Sequence, residues 1–282
     1  MARFARPQPW FLAIAATLAC AGDPPPSPID GGDDPDAGAG ADAAPAVTYR
    51  VSGKAKDYFT GAVLGSATIS SDGMEPQLTA TTDAAGDFAF DAVPPGSVFF
   101  LIANRAVYRP TRGVPVRVEA MAVTADQTLV SVNDARRQYT TLGLPVVTGK
   151  AVVFAELRRN NGTPLADVPV ADIVLVDALD APVGVGPFVF GPTGDLVSNL
   201  TLAVSTVVDG RSRVGFLDVP PGAHTLKVTY PSGGGAPMTV TARVDATADG
   251  ATLVQTGDGG MGPGMGARTF AADVYPLSLI HI

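Results

Sequence analysis

The sequence predicts an all-β protein with two tandem β-sandwich domains behind a signal peptide and a linker. Residues 83–96 combine a turn, a strand in which apolar and polar residues alternate, and a Pro-Pro-Gly segment that ends the strand. Residues 209–222 repeat that frame at an offset of 126 (209 − 83). Glycine (32) and proline (25) make up about a fifth of the 282 residues. No long stretch has helical periodicity, so many short strands joined by turns are favoured.

The repeated frame follows from local backbone chemistry. Asp83 to Gly86 is a turn signal, because an aspartate can bond its own backbone and glycine accepts a positive φ. Phe88 and Phe90 then alternate with polar or small residues, which predicts a strand with one buried face. Pro94 and Pro95 remove two backbone donors, and Gly96 completes a turn before the next strand.

Residues 1–20 are expected to be a signal rather than part of the fold. Arg3 and Arg6 precede an apolar run at 10–19 that is too short to span a bilayer. The run ends in Thr17-Leu18-Ala19-Cys20, which resembles a bacterial lipoprotein signal. The resemblance implies lipidation of Cys20, and the alternative is an ordinary secretory signal with Cys20 incidental. Because Cys20 is the only cysteine, a disulfide framework is excluded.

Residues 21–46 predict a disordered linker, because they are rich in Asp, Pro and Gly and carry almost no large apolar side chain. The linker is expected to hold the folded part away from a membrane. The first module is expected at 47–132.

Several short motifs in the first module point to one family. They are Val51-x-Gly53, Thr60-Gly61, Gly65-x-Ala67, Thr82-Asp83-x-x-Gly86-x-Phe88-x-Phe90 and Val93-Pro94-Pro95-Gly96. Together they resemble the carboxypeptidase regulatory-like domain. That resemblance implies a Greek-key, transthyretin-like (prealbumin-like) β-sandwich, equivalent to a non-catalytic appendage of the peptidases.

The rest of the chain is divided into three parts. Residues 133–145 are expected to be a connector with at most one helical turn, whose Arg136 and Arg137 are solvated or paired with aspartate. Residues 146–255 predict a second sandwich of the same type, with an inserted loop at 178–199. Residues 256–282 are expected to be a Gly-rich tail that is truncated and ends in non-native residues.

The ionisable residues argue against an enzyme and against resident cofactors or metals. Beyond the signal, the histidines are His224, expected at a strand start, and His281; a triad or zinc site needs more such groups. An isopeptide between Lys54 or Lys150 and Glu156 is a further alternative. A net charge of −8 and a pI near 4.6 make nucleic acid a poor partner.

The expected function is therefore that of an exported, lipid-anchored protein of the bacterial cell envelope, at the outer membrane or cell surface. Its tandem modules would serve as a spacer, scaffold or adhesion surface. The protein would be attached to the membrane through Cys20, and its partner would be an envelope protein or a glycan. The alternative is a carbohydrate- or peptide-binding module that uses Phe188, Val189 and Phe190 of the inserted loop.

Overall fold

A computed structural model describes residues 46–166, 168–198, 203–204, 211–232 and 234–257, with 203–204 described as backbone only. The expected signal peptide with Cys20, the linker up to residue 45, Asp209 and the tail beyond Gly257 lie outside these ranges. Within them, no helix is long and apolar enough to cross a bilayer.

The first module consists of eight strands in two sheets. One sheet places β1 beside β4 on one side and β7 and β8 on the other, and the second has the order β3-β2-β5-β6. The strands are β1 (Tyr49–Asp57), β2 (Thr68–Asp72), β3 (Thr79–Thr81), β4 (Asp87–Val93), β5 (Val98–Asn104), β6 (Thr111–Arg117), β7 (Val123–Thr124) and β8 (Gln127–Leu129).

The core of the first module follows the period-2 pattern of these strands. Phe88 and Phe90 of β4 are buried, as expected, and Phe90 packs against Phe99 with ring centroids 6.4 Å apart. Alternate residues of β5 face the same core as Phe99 does. The two sheets are therefore joined through large apolar side chains.

A helix follows where a connector was expected. α1 (Val132–Thr141) has ten residues, so the expectation of at most one turn at 133–145 was wrong. Ser131 caps the helix, since its Oγ accepts a hydrogen bond from the amide of Asp134 at 2.9 Å. The helix is also held by a buried face, which includes Ala135 and Tyr139.

Within its described residues, the second module has ten strands and a short 3-10 turn at Val170–Asp172. Its principal sheets have the orders β13-β12-β15-β9-β18 and β11-β16-β17, and β10 pairs with β14. The strands are β9 (Ala151–Glu156), β10 (Val168–Pro169), β11 (Ile173–Val176), β12 (Val185–Phe190), β13 (Leu196–Val197), β14 (Ala203–Val204), β15 (Arg213–Val219), β16 (Gly222–Tyr230), β17 (Met238–Ala246) and β18 (Ala251–Gln255).

The expected sequence repeat is also a repeat of strand pairing. In the first module Phe90 of β4 pairs with Val51 of β1, and in the second Phe216 of β15 pairs with Val153 of β9. Both first strands also pair in parallel with the last strand of their module, β8 or β18. The all-β sandwich architecture is thus present in both halves of the chain.

The two modules share one sheet. β18 pairs in parallel with β6, which makes a nine-stranded sheet of order β13-β12-β15-β9-β18-β6-β5-β2-β3. Each module keeps its own apolar core, and a third cluster lies around α1. The domain boundaries at 132 and 146 stay a prediction.

The turn that opens the repeated frame has the expected geometry. Asp83 Oδ1 accepts from the amides of Ala85 (2.8 Å) and Asp87 (2.9 Å), and Gly86 has a φ of 78°. Gly96, after the two prolines, has a φ of 81°. The two glycines therefore share a left-handed conformation that favours glycine.

Gly86→Ala should destabilise the protein more than Gly96→Ala does. A Cβ at Gly86 would lie 2.9 Å from the carbonyl oxygen of Ala55, whereas a Cβ at Gly96 would meet nothing within 4 Å. We expect Gly96→Ala to cost about 1–2 kcal/mol for its conformation and Gly86→Ala to cost ~1–3 kcal/mol more through steric overlap. Urea denaturation of both variants measures the difference, and equal losses would contradict it.

Candidate functional site at the junction of the two modules

Arg112 joins the two modules at the point where β6 meets β18. Its guanidinium forms ion pairs with Asp72 of β2 and, at 3.2 Å, with Asp245 of β17. The same group lies 3.8 Å from the centre of the Phe100 ring. Arg112 is only 8% exposed, so its guanidinium is largely desolvated, which strengthens ion pairs and cation–π contacts. Of its two partners, the side chain of Asp245 is 22% accessible and that of Asp72 is 41% accessible.

A second buried arginine binds main-chain oxygens of the second module. Arg109 Nη1 donates to the carbonyl of Lys150 at 3.3 Å and to that of Gly250 at 3.2 Å. Burial lowers the pKa of Arg109, although an arginine stays charged at neutral pH. Arg109 therefore attaches the segment before β6 to the segments that precede β9 and β18.

Helix α1 is fastened to the second module by polar contacts. The hydroxyl of Tyr139 donates to Asp218 Oδ1 at 2.9 Å and accepts from the Asp218 amide at 3.2 Å. Gln138 Oε1 accepts from the amide of Leu196 at 2.7 Å. Arg137 pairs with Asp195 and, at 3.1 Å, with Asp134, so pairing with aspartate is confirmed for this arginine.

The expected inserted loop at 178–199 is largely a hairpin of β12 and β13, and the loop prediction was wrong. Phe188, Val189 and Phe190 lie in β12 and are 8%, 8% and 9% exposed. They are buried because β12 pairs with β15 and because α1 covers the hairpin. The structure therefore leaves little of these side chains for contact with a partner.

Aromatic side chains from both modules form one cluster beneath this hairpin. Tyr58 stacks on Phe154 with centroids 5.3 Å apart, and Phe154 meets Phe190 edge to face at 5.5 Å. Phe59 contacts the same rings. Burial is the main cause that raises the pKa of Tyr58. These rings pack against one another, so they do not form the open platform that a sugar-binding site uses.

A cleft opens where β6 and β18 separate. A cavity of about 320 Å³ lies on one side, with Phe100, Arg112 and Pro115 among its lining residues. A second cavity of about 170 Å³ lies nearby and includes Tyr58 in its lining. Four residues line both cavities, namely Gly113, Leu253, Val254 and Gln255.

The remaining candidate residues have structural surroundings. His224 lies in β16, and its Nε2 is 2.8 Å from the carbonyl of Pro220, to which it donates. Lys54 Nζ pairs with Asp87 at 2.7 Å and Glu156 pairs with Arg158 at 2.6 Å, so these two side chains do not make the contact that the alternative of an isopeptide between them needs. Within the described ranges, no group of three or more His, Cys, Asp or Glu residues is arranged to hold a metal ion.

The residues that build the junction could not be identified from the sequence. Arg109, Arg112 and Tyr139 carry no local pattern that distinguishes them from surface residues. One available signal was Ser131-x-x-Asp134, which is typical of a helix start and would have predicted α1.

Solved structures similar to this chain include the following three bacterial proteins, all at low identity. The Bacillus anthracis TIE protein is 12% identical, with 74% of this chain and 33% of that chain covered at a TM-score of 0.26. A streptococcal ancillary pilin is 12% identical, with 74% and 68% covered at 0.26. The shaft pilin SpaA from Lactobacillus rhamnosus GG is 11% identical, with 77% and 100% covered at 0.25.

This chain thus spans about a third of the length of the first of these proteins. At such TM-scores the likenesses carry no functional assignment. No protein-family model and no curated protein matches the sequence, so the carboxypeptidase regulatory-like resemblance stays a prediction.

Tyr139→Phe should lower stability at neutral pH, and the difference from the wild type should narrow at alkaline pH. The lost hydroxyl leaves Asp218 without two hydrogen bonds, which we expect to cost about 1–2 kcal/mol. Burial raises the pKa of Tyr139 to about 12, above its ordinary value of 10.

The native state of the wild type thus favours the neutral phenol. The contribution of the neutral phenol to the free energy of unfolding is fully present below pH 10 and is lost as the pH rises towards 12. Urea midpoints of both proteins at pH 8, 10 and 12 would measure this, and a constant difference would contradict it.

Arg112→Ala should destabilise the protein by about 2 kcal/mol, because it removes a largely buried guanidinium together with its two ion pairs and its ring contact. Arg50→Ala is the matched control. Its pair with Asp91 is exposed, with side chains 60% and 74% accessible, and should contribute less than about 0.5 kcal/mol. Equal effects on the urea midpoint would show that the buried setting of Arg112 is unimportant.

Proposed function

We propose that this protein is a non-enzymatic, lipid-anchored spacer or scaffold of the bacterial cell envelope, with an adhesion or interaction surface. The observation that carries the proposal is the shared nine-stranded sheet, which joins the two modules through main-chain hydrogen bonds. A spacer needs a fixed geometry, and modules joined only by a linker generally move relative to one another.

The junction contacts support a fixed geometry. Arg109 and Arg112 connect the modules by polar contacts, and Tyr58 and Phe59 of the first module pack on Phe154 of the second. Buried apolar and polar contacts act together here, so movement at the junction would expose apolar surface and leave buried charges unpaired.

The proposed anchor explains the composition of the first part of the chain. Lipidation at Cys20, followed by an Asp- and Pro-rich stretch at 21–46, would hold the modules at a distance from the bilayer. In this proposal each module is a carboxypeptidase regulatory-like sandwich, and the protein is exported to the outer membrane or cell surface.

A second candidate function is binding of a carbohydrate or peptide. The cleft at the junction favours it, since a concave cavity of about 320 Å³ lies beside Phe100 and Arg112. This candidate differs from the sequence-based alternative, because the site lies in the cleft and not at Phe188, Val189 and Phe190.

Cys20→Ala should release the protein from membranes. In a bacterial host, we expect the wild type to incorporate labelled palmitate and to sediment with the membrane fraction. The Cys20→Ala variant should do neither, and Ser27→Ala in the predicted linker is the control that should retain both properties. If the Cys20→Ala variant stayed membrane-bound without label, the anchor would be wrong.

A further inference from the structure

Strand β17 is an edge strand of the second module. It pairs with β16 over nine residues, Met238 to Ala246, and within the described ranges it pairs with no strand on its other side. Its side chains alternate between core and surface, so that Val240 and Ala242 are buried whereas Thr241 and Arg243 lie on the outer face. The side of β17 opposite β16 therefore has the geometry that accepts a further strand.

The main-chain groups of every second residue in β17 point away from β16. In an antiparallel strand, the amide and carbonyl of one residue point to one side, and those of the next residue point to the other side. The carbonyl of Asp245 accepts a hydrogen bond from Thr252 Oγ1 of β18 at 2.8 Å, so the main chain of Asp245 is directed away from β16. At spacings of two residues, Arg243 and Thr241 have the same orientation. The amide and carbonyl of Thr241 are thus directed at the space beside β17.

The larger cavity lies in that space. Thr241 and Arg243 line it from β17, and Phe100, Arg112 and Pro115 line it from the first module. These three residues belong to β5 and β6, which continue the shared sheet beyond β18. Phe100 and Pro115 pair across β5 and β6 and are only partly buried. The next strand position beside β17 therefore faces the surface that Phe100 and Pro115 form.

We propose that the cleft binds an extended peptide segment of another protein, which adds to β17 as a further strand. This inference rests on the second candidate function proposed above and assigns its ligand class. A peptide carries one amide and one carbonyl per residue, and its alternation at strand spacing brings them opposite the main chain of Thr241. This repeat of donors and acceptors matches a peptide rather than a saccharide.

The surroundings of the cleft determine which side chains such a peptide carries. Successive side chains of an added strand point alternately inwards and outwards. Inward side chains meet Phe100 and Pro115, which offer apolar surface. Outward side chains lie beside Thr241 and Arg243 at the surface, where Arg243 is paired with Asp245 at 2.9 Å. The site therefore selects apolar residues at every second position of the peptide and sets no charge requirement at the positions between them.

Selection from a library of random octapeptides tests this proposal, with the full chain in detergent as the target. We expect the selected peptides to carry apolar residues at alternate positions. Each is then synthesised with N-methyl groups on every second amide, in either of two frames. Because the amides of a strand alternate in direction, one frame removes the donors directed at β17 and should weaken binding by about tenfold or more. The other frame should leave the affinity unchanged.

Two substitutions at one position give the matched pair on the protein side. Thr241→Pro removes the amide directed at the cleft and keeps the bonds between β17 and β16, because proline is tolerated on the outer side of an edge strand. It should weaken binding by about tenfold, and its urea midpoint shows whether the fold is kept. Thr241→Val removes the hydroxyl and keeps the amide, so it should bind as the wild type does. If Thr241→Pro did not fold, the two N-methyl frames would decide alone.

Equal effects of the two N-methyl frames, or wild-type affinity in a folded Thr241→Pro variant, would overturn the proposal. Peptide binding only after removal of residues 258–282 would contradict it in favour of an occupant from the same chain. If a tetrasaccharide of N-acetylglucosamine bound in the cleft and no peptide were selected, the peptide assignment would be wrong and the cleft would remain a binding site. If neither bound, the second candidate function would fall as well, and the membrane test of Cys20→Ala would be unaffected.

Discussion

The parallel pairing of β18 with β6 is the constraint on which the junction depends. Main-chain groups inside a sheet must be paired, so this contact sets the register between the two modules. Arg112 lies at this pairing and carries its charge between Asp72 of the first module and Asp245 of the second. Arg109 adds bonds to the carbonyls of Lys150 and Gly250, which lie just before the paired strands. Arg109 Nη1 and the Arg112 guanidinium, which would be costly to bury unpaired, thereby find partners across the junction.

The two modules have the same central pairing but different surroundings. In both, the first strand lies between an antiparallel strand of the repeated frame and a parallel last strand. In the second module the sheet is extended by β12 and β13. This extension covers the cluster that receives Tyr58 and Phe59 from the first module, and α1 closes it from outside. The insertion thus belongs to the packing of the junction.

Features that depend on neighbouring residues could be predicted from the sequence, whereas features that depend on distant residues could not. The turn at Asp83, the buried faces of Phe88 and Phe90 and the second copy around Phe216 could be predicted, because each depends on neighbours within a few residues. Phe188, Val189 and Phe190 were expected in a loop because the glycines around them suggest turns. Pairing with β15, which is distant in the chain, overrode that local preference. The roles of Arg109 and Arg112 could not be predicted, since their partners come from separate segments.

By itself, the sequence determined the fold class, the repeated frame and the turns, because period-2 alternation and the Asp, Pro and Gly positions act locally. Only the tertiary structure decided which strands meet. Gly53 illustrates the difference. Its place in a motif is visible in the sequence, yet the reason for glycine is that the carbonyl oxygen of Ala125 would lie 2.0 Å from any Cβ there. The shared sheet, the junction and its cleft have the same origin, since contacts between residues far apart in the chain leave no periodic signal in it.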